Sequence, residues 1–140
     1  MAEMRTFSPT VVAVLASAAA CDRVAGLAGA CRVAPDEVAI VGAVSISAVL
    51  RTVRTADPDA LVVDVSDGWI AHTLEGGGAR DAFARLSELE LPPSGFVQGE
   101  VAGIGARVVV DGDRIEILVP APVSDHTRER ISRDCAGLLG

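Results

Sequence analysis

Two apolar stretches, each interrupted by an Asp-Gly dipeptide, place the strongest constraint on how this chain can fold. The first is "ALVVDVSDGWIAHTLEG" (residues 60–76), and the second is "EVAGIGARVVVDGDRIEILV" (residues 100–119). An Asp-Gly pair between two apolar runs is a strong signal for a two-residue hairpin turn. We therefore predict one hairpin across Asp67-Gly68 and another across Asp111-Gly112.

The residue patterns within these stretches predict how each strand is buried. Ile115, Ile117 and Val119 lie on one face and Arg114 and Glu116 on the other, which predicts a strand with one face in the core. Residues 60–66 are nearly all apolar, which predicts a strand that is covered on both faces. Gly103 and Gly105 predict a bulge or a close backbone approach in the first arm of the second hairpin.

Helices are predicted between these strands. The Ala-rich segment from Ser8 to Gly29 favours a helix, and residues 43–57 show apolar positions at helical spacing. Ala79, Ala82, Phe83, Leu86 and Leu89 predict the apolar stripe of a third helix. A final helix is predicted after Pro120, with Ser124 as its N-cap. A short strand over residues 36–42 completes the order α-β-α-β-β-α-β-β-α, typical of an α+β fold with helices packed on a mostly antiparallel sheet.

The length and composition bound the class of protein. The chain has 140 residues, of which 50% are hydrophobic, so we predict a single domain over residues 1–140 with its own core. Residues 1–33 are predicted to form its N-terminal Ala-rich helical segment. The three cysteines follow neither a disulfide framework nor a zinc-ligand spacing, and we expect all three to be free and buried.

The charge of the chain argues against two classes of partner. The formal net charge is −7, and no cluster of arginines forms a basic face, so nucleic acid and anionic membrane surfaces are not expected partners. The apolar residues before Cys21 resemble a secretory signal, but Glu3 offsets Arg5 and the pattern continues as an amphipathic helix would. We expect a cytoplasmic protein without a transmembrane helix.

Three residues of the first stretch are of the types that form a hydrolytic triad. Ser66, Asp67 and His72 lie close in sequence, but the nucleophile-elbow pattern is absent and neighbouring side chains on a strand diverge. His72 and His126 are the only histidines, and neither belongs to a metal-ligand pattern. We therefore predict no catalytic residue and no metal site in this chain.

The glycine run Gly76-Gly77-Gly78 precedes a predicted helix and admits two interpretations. A helix N-terminus after glycines can hold a phosphate, but the known phosphate-loop patterns and lysine are both absent. The alternative, which we favour, is a strand-to-helix turn whose glycines permit close packing. Trp69 is interpreted mainly as a packing anchor.

The segments "APDEVAIVG" (34–42), "DALVVDVSDGWIAHTLEGGGARDAF" (59–83) and "LELPPSGFVQGEVAGIGARVVV" (89–110) follow one another in an order that resembles a known family. They are similar to the gamma subunit of heterotetrameric sarcosine oxidase, within the superfamily of the aminomethyltransferase and related folate-binding proteins. Val38 stands where the family has tryptophan, and "PAPV" replaces an Arg-Ser pair before the last helix.

The resemblance implies a non-catalytic accessory subunit with a fold similar to the aminomethyltransferase folate-binding domain. The implied complex demethylates an N-methyl amino acid such as sarcosine and transfers the one-carbon unit to tetrahydrofolate. Its larger flavoprotein subunits would carry FAD, FMN, NAD and the folate site. Two alternatives stay open: a homo-oligomeric module when isolated, and a stand-alone folate-binding or one-carbon-transfer protein. A ligand would contact Trp69, Gly76, Gly77, Gly78 and Arg80, with Arg107 as a second candidate for pairing an anionic tail.

Overall fold

A computed structural model describes residues 1–140 and shows an α+β protein with nine strands and four α-helices, which confirms the predicted class. The strands are β1 (Glu3–Phe7), β2 (Val11–Leu15), β3 (Ala30–Ala34), β4 (Glu37–Val41), β5 (Leu61–Asp64), β6 (Trp69–Glu75), β7 (Ser94–Val101), β8 (Ile104–Asp111) and β9 (Arg114–Pro120). The helices are α1 (Ala18–Asp22), α2 (Ile46–Arg54), α3 (Ala79–Ala84) and α4 (Ser124–Asp134). None of them is both long and apolar enough to cross a bilayer.

The chain divides into two compact units. The first, called here the continuous unit, comprises residues 9–66. The second, called the split unit, combines residues 1–8 with residues 67–140. The expectation that residues 1–140 form one domain stays a prediction.

The continuous unit is a four-stranded antiparallel sheet with the strand order β3-β4-β2-β5. Its chain order, β-α-β-β-α-β, is that of the split βαβ arrangement, in which the first strand becomes central. Strand β2 pairs Val11 with Val41 of β4 and Leu15 with Leu61 of β5. Its core is made of small aliphatic residues: Val14, Ala20, Cys21, Val24, Val38, Ile40, Val49, Val53 and Ala60.

The split unit has a five-stranded antiparallel sheet in the order β1-β6-β9-β8-β7. Strands β6, β8, β9 and β1 repeat the strand order of the continuous unit, but the fourth strand comes from the beginning of the chain and β7 adds an edge. The predicted inner face of β9 is confirmed, since Ile115, Ile117 and Val119 are all fully buried. The larger core side chains that join them are Leu74, Phe83, Leu86, Val101, Val108, Val110 and Ile131.

The predicted helix over Ser8–Gly29, and with it the N-terminal helical segment over residues 1–33, is wrong. Residues 11–15 form the central strand β2, β1 precedes it, and only the five residues of α1 are helical. Val11, Val12 and Val14 are at most 1% exposed. Three β-branched residues in a strand paired on both sides outweigh the helix propensity of the flanking alanines.

The predicted hairpin across Asp67-Gly68 is also wrong. Residues 66–68 form a 3₁₀ turn, and the strands on either side of it belong to different sheets. Strand β5 lies at an edge, where Leu61 and Val63 are exposed, so the prediction that both faces are covered fails as well. The Asp-Gly pair therefore marks the boundary between the two units.

The hairpin across Asp111-Gly112 is confirmed, because β8 and β9 pair up to Asp111 and Arg114. Its first arm is not one strand, since it turns at Ala102-Gly103, where φ is 52° and 80°. This turn takes the place of the predicted bulge and creates the additional hairpin β7–β8. The observed order is β-β-α-β-β-α-β-β-α-β-β-β-α. The predicted order therefore omitted β1 and β3, took β2 for part of a helix, and missed the break between β7 and β8.

The two helices of the split unit lie close to their predicted positions. The apolar stripe of α3 is confirmed over its first part, where Ala79, Ala82 and Phe83 are buried. The helix ends at Ala84, so Leu86 and Leu89 lie beyond it, and Leu89 is only partly buried. The N-cap predicted for α4 is displaced by one residue, because Val123 occupies the cap and Ser124 is the first helical residue. A short 3₁₀ turn over residues 121–123 precedes the helix. Pro120 is the N-cap of this turn, and Pro122 lies within it.

Candidate functional site

A shallow hollow on the split unit brings an aromatic ring and a cation together. The guanidinium carbon of Arg107 lies 4.4 Å from the centroid of the Trp69 ring, within the range of a cation–π contact. Gln98, Gly99, Gly105 and Ala106 complete the lining of a hollow of about 290 Å³. Trp69, which the sequence singled out, lies in this hollow, and the partner of its ring is on β8.

The strand register explains why these residues meet. Trp69 is opposite Pro120 on β9, and Arg107 is opposite Leu118 on the other side of the same strand. Because side chains alternate along a strand, both residues project from the sheet face opposite the buried Ile117. The large indole and the long arginine therefore reach each other diagonally across β9.

Gly105 gives the hollow its depth. A Cβ atom added at this residue would meet no heavy atom within 4 Å, so the missing side chain leaves open space beside the ring. Gly99 is different, because a Cβ there would clash with the side chain of Leu89. Gly105 is thus the position at which the hollow can be filled without disturbing its surroundings.

His72 is fully buried in the split unit and forms part of its polar interior. Its Nδ1 lies 2.8 Å from the hydroxyl of Thr6, and its Nε2 lies 3.2 Å from the carbonyl oxygen of Ser124. A carbonyl can only accept, so Nε2 carries the proton and Nδ1 accepts from Thr6. Burial lowers the pKa of His72 and keeps the ring neutral. This histidine ties α4 and β1 to β6.

Ser66, Asp67 and His72, the three residues of triad type, have separate roles in the structure. Ser66 Oγ donates to the Asp64 carboxylate at 2.6 Å and accepts from the Val11 N–H at 2.9 Å. His72 is bound to Thr6 and Ser124, as described above, and Asp67 belongs to the 3₁₀ turn. These contacts assign the hydroxyl of Ser66 to fixing the end of β5.

The glycine turn before α3 is filled by the chain itself. Cβ atoms added at Gly76 or Gly78 would lie 3.0 to 3.2 Å from backbone atoms of Met1 and Ala2. Gly76 also has a φ of 118°, a conformation that favours glycine. The backbone of the first two residues therefore occupies the space beside Gly76 and Gly78 that a phosphate would need, whereas nothing lies within 4 Å of a Cβ at Gly77.

Arg80 is anchored to the loops of the split unit. Its Nη2 donates to the carbonyl oxygens of Pro92 at 3.0 Å and Gly112 at 3.1 Å. These contacts hold the segment before β7 against the β8–β9 turn. Of the predicted ligand contacts, the structure therefore brings Trp69 beside Arg107, and it sets Gly76 to Gly78 and Arg80 in a different part of the unit.

A larger hollow, of about 630 Å³, lies beside the segment that follows α3. Its charged lining residues are Arg85, Glu88 and Glu100. Two carboxylates against one guanidinium disfavour an anionic ligand there. The hollow beside Trp69, which has a cation and no carboxylate in its lining, fits an anion better.

The remaining reactive groups do not form a site. No group of three or more histidine, cysteine or acidic side chains is arranged to hold a metal ion. The three cysteines are free and buried, as predicted. Burial raises the pKa of the Cys21 and Cys135 thiols, which disfavours the reactive thiolate.

Two of the lining residues were missed by sequence reasoning. Gln98 and Gly99 lie on β7, whereas the sequence predicted a single strand that begins only at Glu100. The segment "SGFVQGEV" contains Gly95 and Gly99 between polar and apolar residues. Glycines in a strand often mark a bend or a close backbone approach, so this pattern could have indicated a further strand. Because the turn at Ala102-Gly103 was not predicted, the pairing of β7 with β8, which places Gln98 opposite Arg107, could not be predicted either.

Neither a protein-family model nor a curated protein sequence matches the chain. Among solved structures, a chain of the heterotetrameric sarcosine oxidase from Corynebacterium sp. U-96, in complex with pyrrole 2-carboxylate, is similar in fold with a TM-score of 0.77. The two chains are 19% identical, and the match covers 99% of this chain and 86% of that one. The matched chain is therefore only slightly longer than this one.

Two aspartate kinase structures are more distantly similar. The aspartate kinase of Synechocystis matches with a TM-score of 0.53 at 14% identity, over 98% of this chain and 27% of that one. The ligand-free regulatory subunit of the Thermus thermophilus enzyme matches with a TM-score of 0.51 at 10% identity, over 94% and 96% of the two chains. At these identities the comparisons show a shared fold, and the resemblance to the small sarcosine oxidase subunit is confirmed at that level.

Proposed function

We propose that this chain is a non-catalytic accessory subunit of a heteromeric, flavin-dependent oxidase of the sarcosine oxidase type. The observation that supports this proposal is the similarity of almost the whole chain to one chain of a heterotetrameric sarcosine oxidase, with a TM-score of 0.77. The match covers 99% of this chain, so it includes the elements of both units. A fold similar to the aminomethyltransferase folate-binding domain is part of this proposal, because the resemblance to the gamma subunit implies it.

In this proposal the chemistry belongs to the larger partners. The complex oxidises the N-methyl group of an amino acid such as sarcosine and transfers the one-carbon unit to tetrahydrofolate. FAD, FMN and NAD are assigned to the partner subunits. The residues of this chain that bear reactive groups serve its own fold instead, as His72 and Ser66 do through their hydrogen bonds.

Affinity purification of the tagged chain from its native host tests the proposal. We expect a flavoprotein to co-purify in a fixed ratio, and the preparation to oxidise sarcosine or dimethylglycine. The purified chain alone should show no such activity. Recovery of the chain without any flavin-containing partner would contradict the proposal.

A second candidate function, folate binding by the chain itself, is favoured by the hollow beside Trp69. Tetrahydrofolate combines a flat ring system with an anionic tail, and the Trp69–Arg107 pair offers an aromatic face beside a guanidinium. The predicted contacts at Gly76, Gly77, Gly78 and Arg80 lie in a different part of the unit, so they stay a separate prediction.

Titration with tetrahydrofolate, followed by the fluorescence of Trp69, tests this second function. We expect quenching that saturates in the wild-type chain and is lost in Gly105→Leu, which fills the hollow. A matched variant, Gly112→Asn, changes an exposed turn glycine and should retain the quenching. An unchanged fluorescence in the wild-type chain at high ligand concentration would exclude folate binding in this hollow.

A further inference from the structure

The two sheets end in four edge strands, and these edges are not equally protected. An exposed edge carries unpaired backbone N–H and C=O groups, and natural proteins protect such edges with charges, bulges or covering segments. The edges are β1 and β7 in the split unit, and β3 and β5 in the continuous unit. Three of them are covered, bulged or crossed by an ion pair, whereas β5 is protected only by its length of four residues and by the charge of Asp64.

The two edges of the split unit are covered or charged. The start of β1 is bridged by the C-terminal residues, since the Ala2 N–H donates to the Leu138 carbonyl oxygen at 2.9 Å. Further along β1, Glu3 and Arg5 form an exposed ion pair at 3.3 Å. The end of β7 is covered by the segment after α3, where Ser87 donates to the carbonyl oxygen of Glu100 at 2.6 Å.

The β3 edge of the continuous unit is irregular and charged. Its pairing with β4 shifts register between Arg32 and Ala34. The Arg32 guanidinium binds Asp22 at 2.7 Å and the carbonyl oxygen of Pro35 at 2.6 Å. A bulge and a fixed charge both hinder the addition of another strand.

Strand β5 has a regular, open edge. The N–H of Val65 donates to the Val11 carbonyl oxygen at 2.9 Å, and the register from Leu61 to Asp64 contains no shift. In an antiparallel ladder alternate residues point to opposite sides, so the backbone groups of Val62 and Asp64 point away from β2. Val62 and Asp64 therefore present two N–H and two C=O groups for a further strand.

The side chains along this edge are apolar. Leu61 is 54% exposed and Val63 is 42% exposed, and both lie on the sheet face opposite the core residue Val62. Leu15, which is 40% exposed, is paired in register with Leu61 and extends the apolar surface onto β2. A strand added here would bury these three side chains as well as the open backbone groups.

The charges around β5 indicate the chemistry of what binds there. Asp59 precedes β5 and Asp64 ends it, and both are exposed. Hydrogen bonds from Ser66 hold the pKa of Asp64 below its usual range, so this carboxylate is charged. Arg54 donates through Nε to the Ala60 carbonyl oxygen at 3.4 Å, just before the strand begins.

We propose that the edge of β5 is the docking site for an extended segment of a larger partner chain, which adds a strand whose apolar residues are flanked by basic ones. Main-chain hydrogen bonds to Val62 and Asp64 would hold the segment, and Leu15, Leu61 and Val63 would receive its side chains. A second copy of this chain fits less well, because it carries the same net charge of −7 and has no basic residue over positions 55–67 to meet the acidic edge. This inference rests on the proposed accessory function for the identity of the partner.

Charge substitutions at the edge test the proposal in the complex purified from the native host. We expect Leu61→Lys and Val63→Lys each to lower the recovery of the flavoprotein partner by at least about tenfold, because the ammonium group would have to be buried without a partner. Leu27→Lys is the matched control, since Leu27 is 44% exposed in the same unit and lies away from the edge. Full recovery of the flavoprotein with both edge variants would overturn the docking site and leave the accessory function standing.

A synthetic peptide tests the edge without the native partner. The probe is a seven-residue peptide of alternating valine and threonine with arginine at both ends, and the control carries glutamate at both ends. We expect the arginine peptide to bind at least about fivefold more tightly at low salt and to protect the Val62 and Asp64 amides from hydrogen exchange.

Two outcomes of the peptide test, and one outcome of a mass measurement on the isolated chain, would count against the docking site. Equal affinity of the two peptides, or protection elsewhere in the chain, would overturn it. A dimer of the isolated chain that Leu61→Lys dissociates would assign the edge to a second copy instead. If no flavoprotein co-purifies, the accessory function fails, and the peptide result then decides the edge by itself.

Discussion

The two units share a strand order but differ in how they complete their sheets. The continuous unit builds β3-β4-β2-β5 from one uninterrupted segment, whereas the split unit takes β1 from the start of the chain and adds β7. The split unit also protects both of its edges with its own residues, and the continuous unit leaves β5 open. The comparison teaches that the same topology can be a closed scaffold in one unit and a docking surface in the other.

The largest predicted effect concerns the cores of the two units. Phe83 is 1% exposed in the split unit, and Phe83→Ala should lower the free energy of unfolding by about 4 kcal/mol through lost burial and a cavity. Ile40→Ala, at the matching depth of the continuous unit, should cost about 3 kcal/mol. Urea denaturation followed by circular dichroism measures both. A loss below about 1 kcal/mol for Phe83→Ala would show that the split unit does not depend on its single large aromatic core residue.

The next effect compares a turn glycine in each unit. A Cβ at Gly29, where φ is 77°, would overlap the carbonyl oxygen of Val41, so Gly29→Ala should cost about 3 kcal/mol. Gly112 in the split unit has a φ of 57° but open space around it, so Gly112→Ala should cost about 1 kcal/mol. Thermal unfolding of both variants gives the difference. Equal losses would mean that the backbone conformation alone sets the cost.

The pH dependence of stability should distinguish the split unit, which holds the buried His72. The folded pKa of His72 is lowered below the ordinary 6.5, so below that pH the unfolded chain binds more protons than the folded one. The stability that neutral His72 provides is complete above pH 6.5 and is lost as the pH falls towards the lower folded pKa. His72→Gln should flatten this part of the stability profile, as urea titrations at several pH values would show.

Exposed His126 provides the control for this pH effect. His126→Gln makes the same substitution at an exposed residue, and so serves as the matched variant. Asp64 and Asp134 also have lowered pKa values, but their contributions are lost only as the pH falls below 3.8. An unchanged slope in His72→Gln would show that the buried histidine does not titrate on unfolding.

The smallest predicted effect is on the open edge. Leu61→Lys should change the free energy of unfolding by no more than about 0.5 kcal/mol, since the side chain is already 54% exposed. The same variant is expected to lose the partner protein, so stability and binding should separate at this position. A loss of several kcal/mol would mean that Leu61 supports the continuous unit itself.

Local patterns in the sequence predicted the split unit better than the continuous unit. The buried side of β9 with Ile115, Ile117 and Val119 was predicted, although Leu118 on its other side is buried as well. The apolar stripe of α3 was predicted over Ala79–Ala84. The alanines around β2 favour a helix by their local propensity. The strand could not be predicted, because its pairing partners Val41 and Leu61 are distant in sequence. Strand β1 was missed for the same reason, since its pairing with β6 is entirely non-local.

The candidate site was predictable only in part. Trp69 and Arg107 were both singled out from the sequence, but their contact depends on the register of three strands. The open edge was hidden, because "ALVVDVS" is as apolar as a fully covered strand. Only the sheet order shows that no strand follows β5 on its outer side.

The mass and flavin content of the chain as purified from its native host test the central claim most directly. Light scattering and flavin absorbance are measured on the same chromatographic peak. The account predicts that the 14.3 kDa chain elutes within a much heavier complex that contains flavin. A flavin-free peak with the mass of the chain, or of a small multiple of it, would contradict the account.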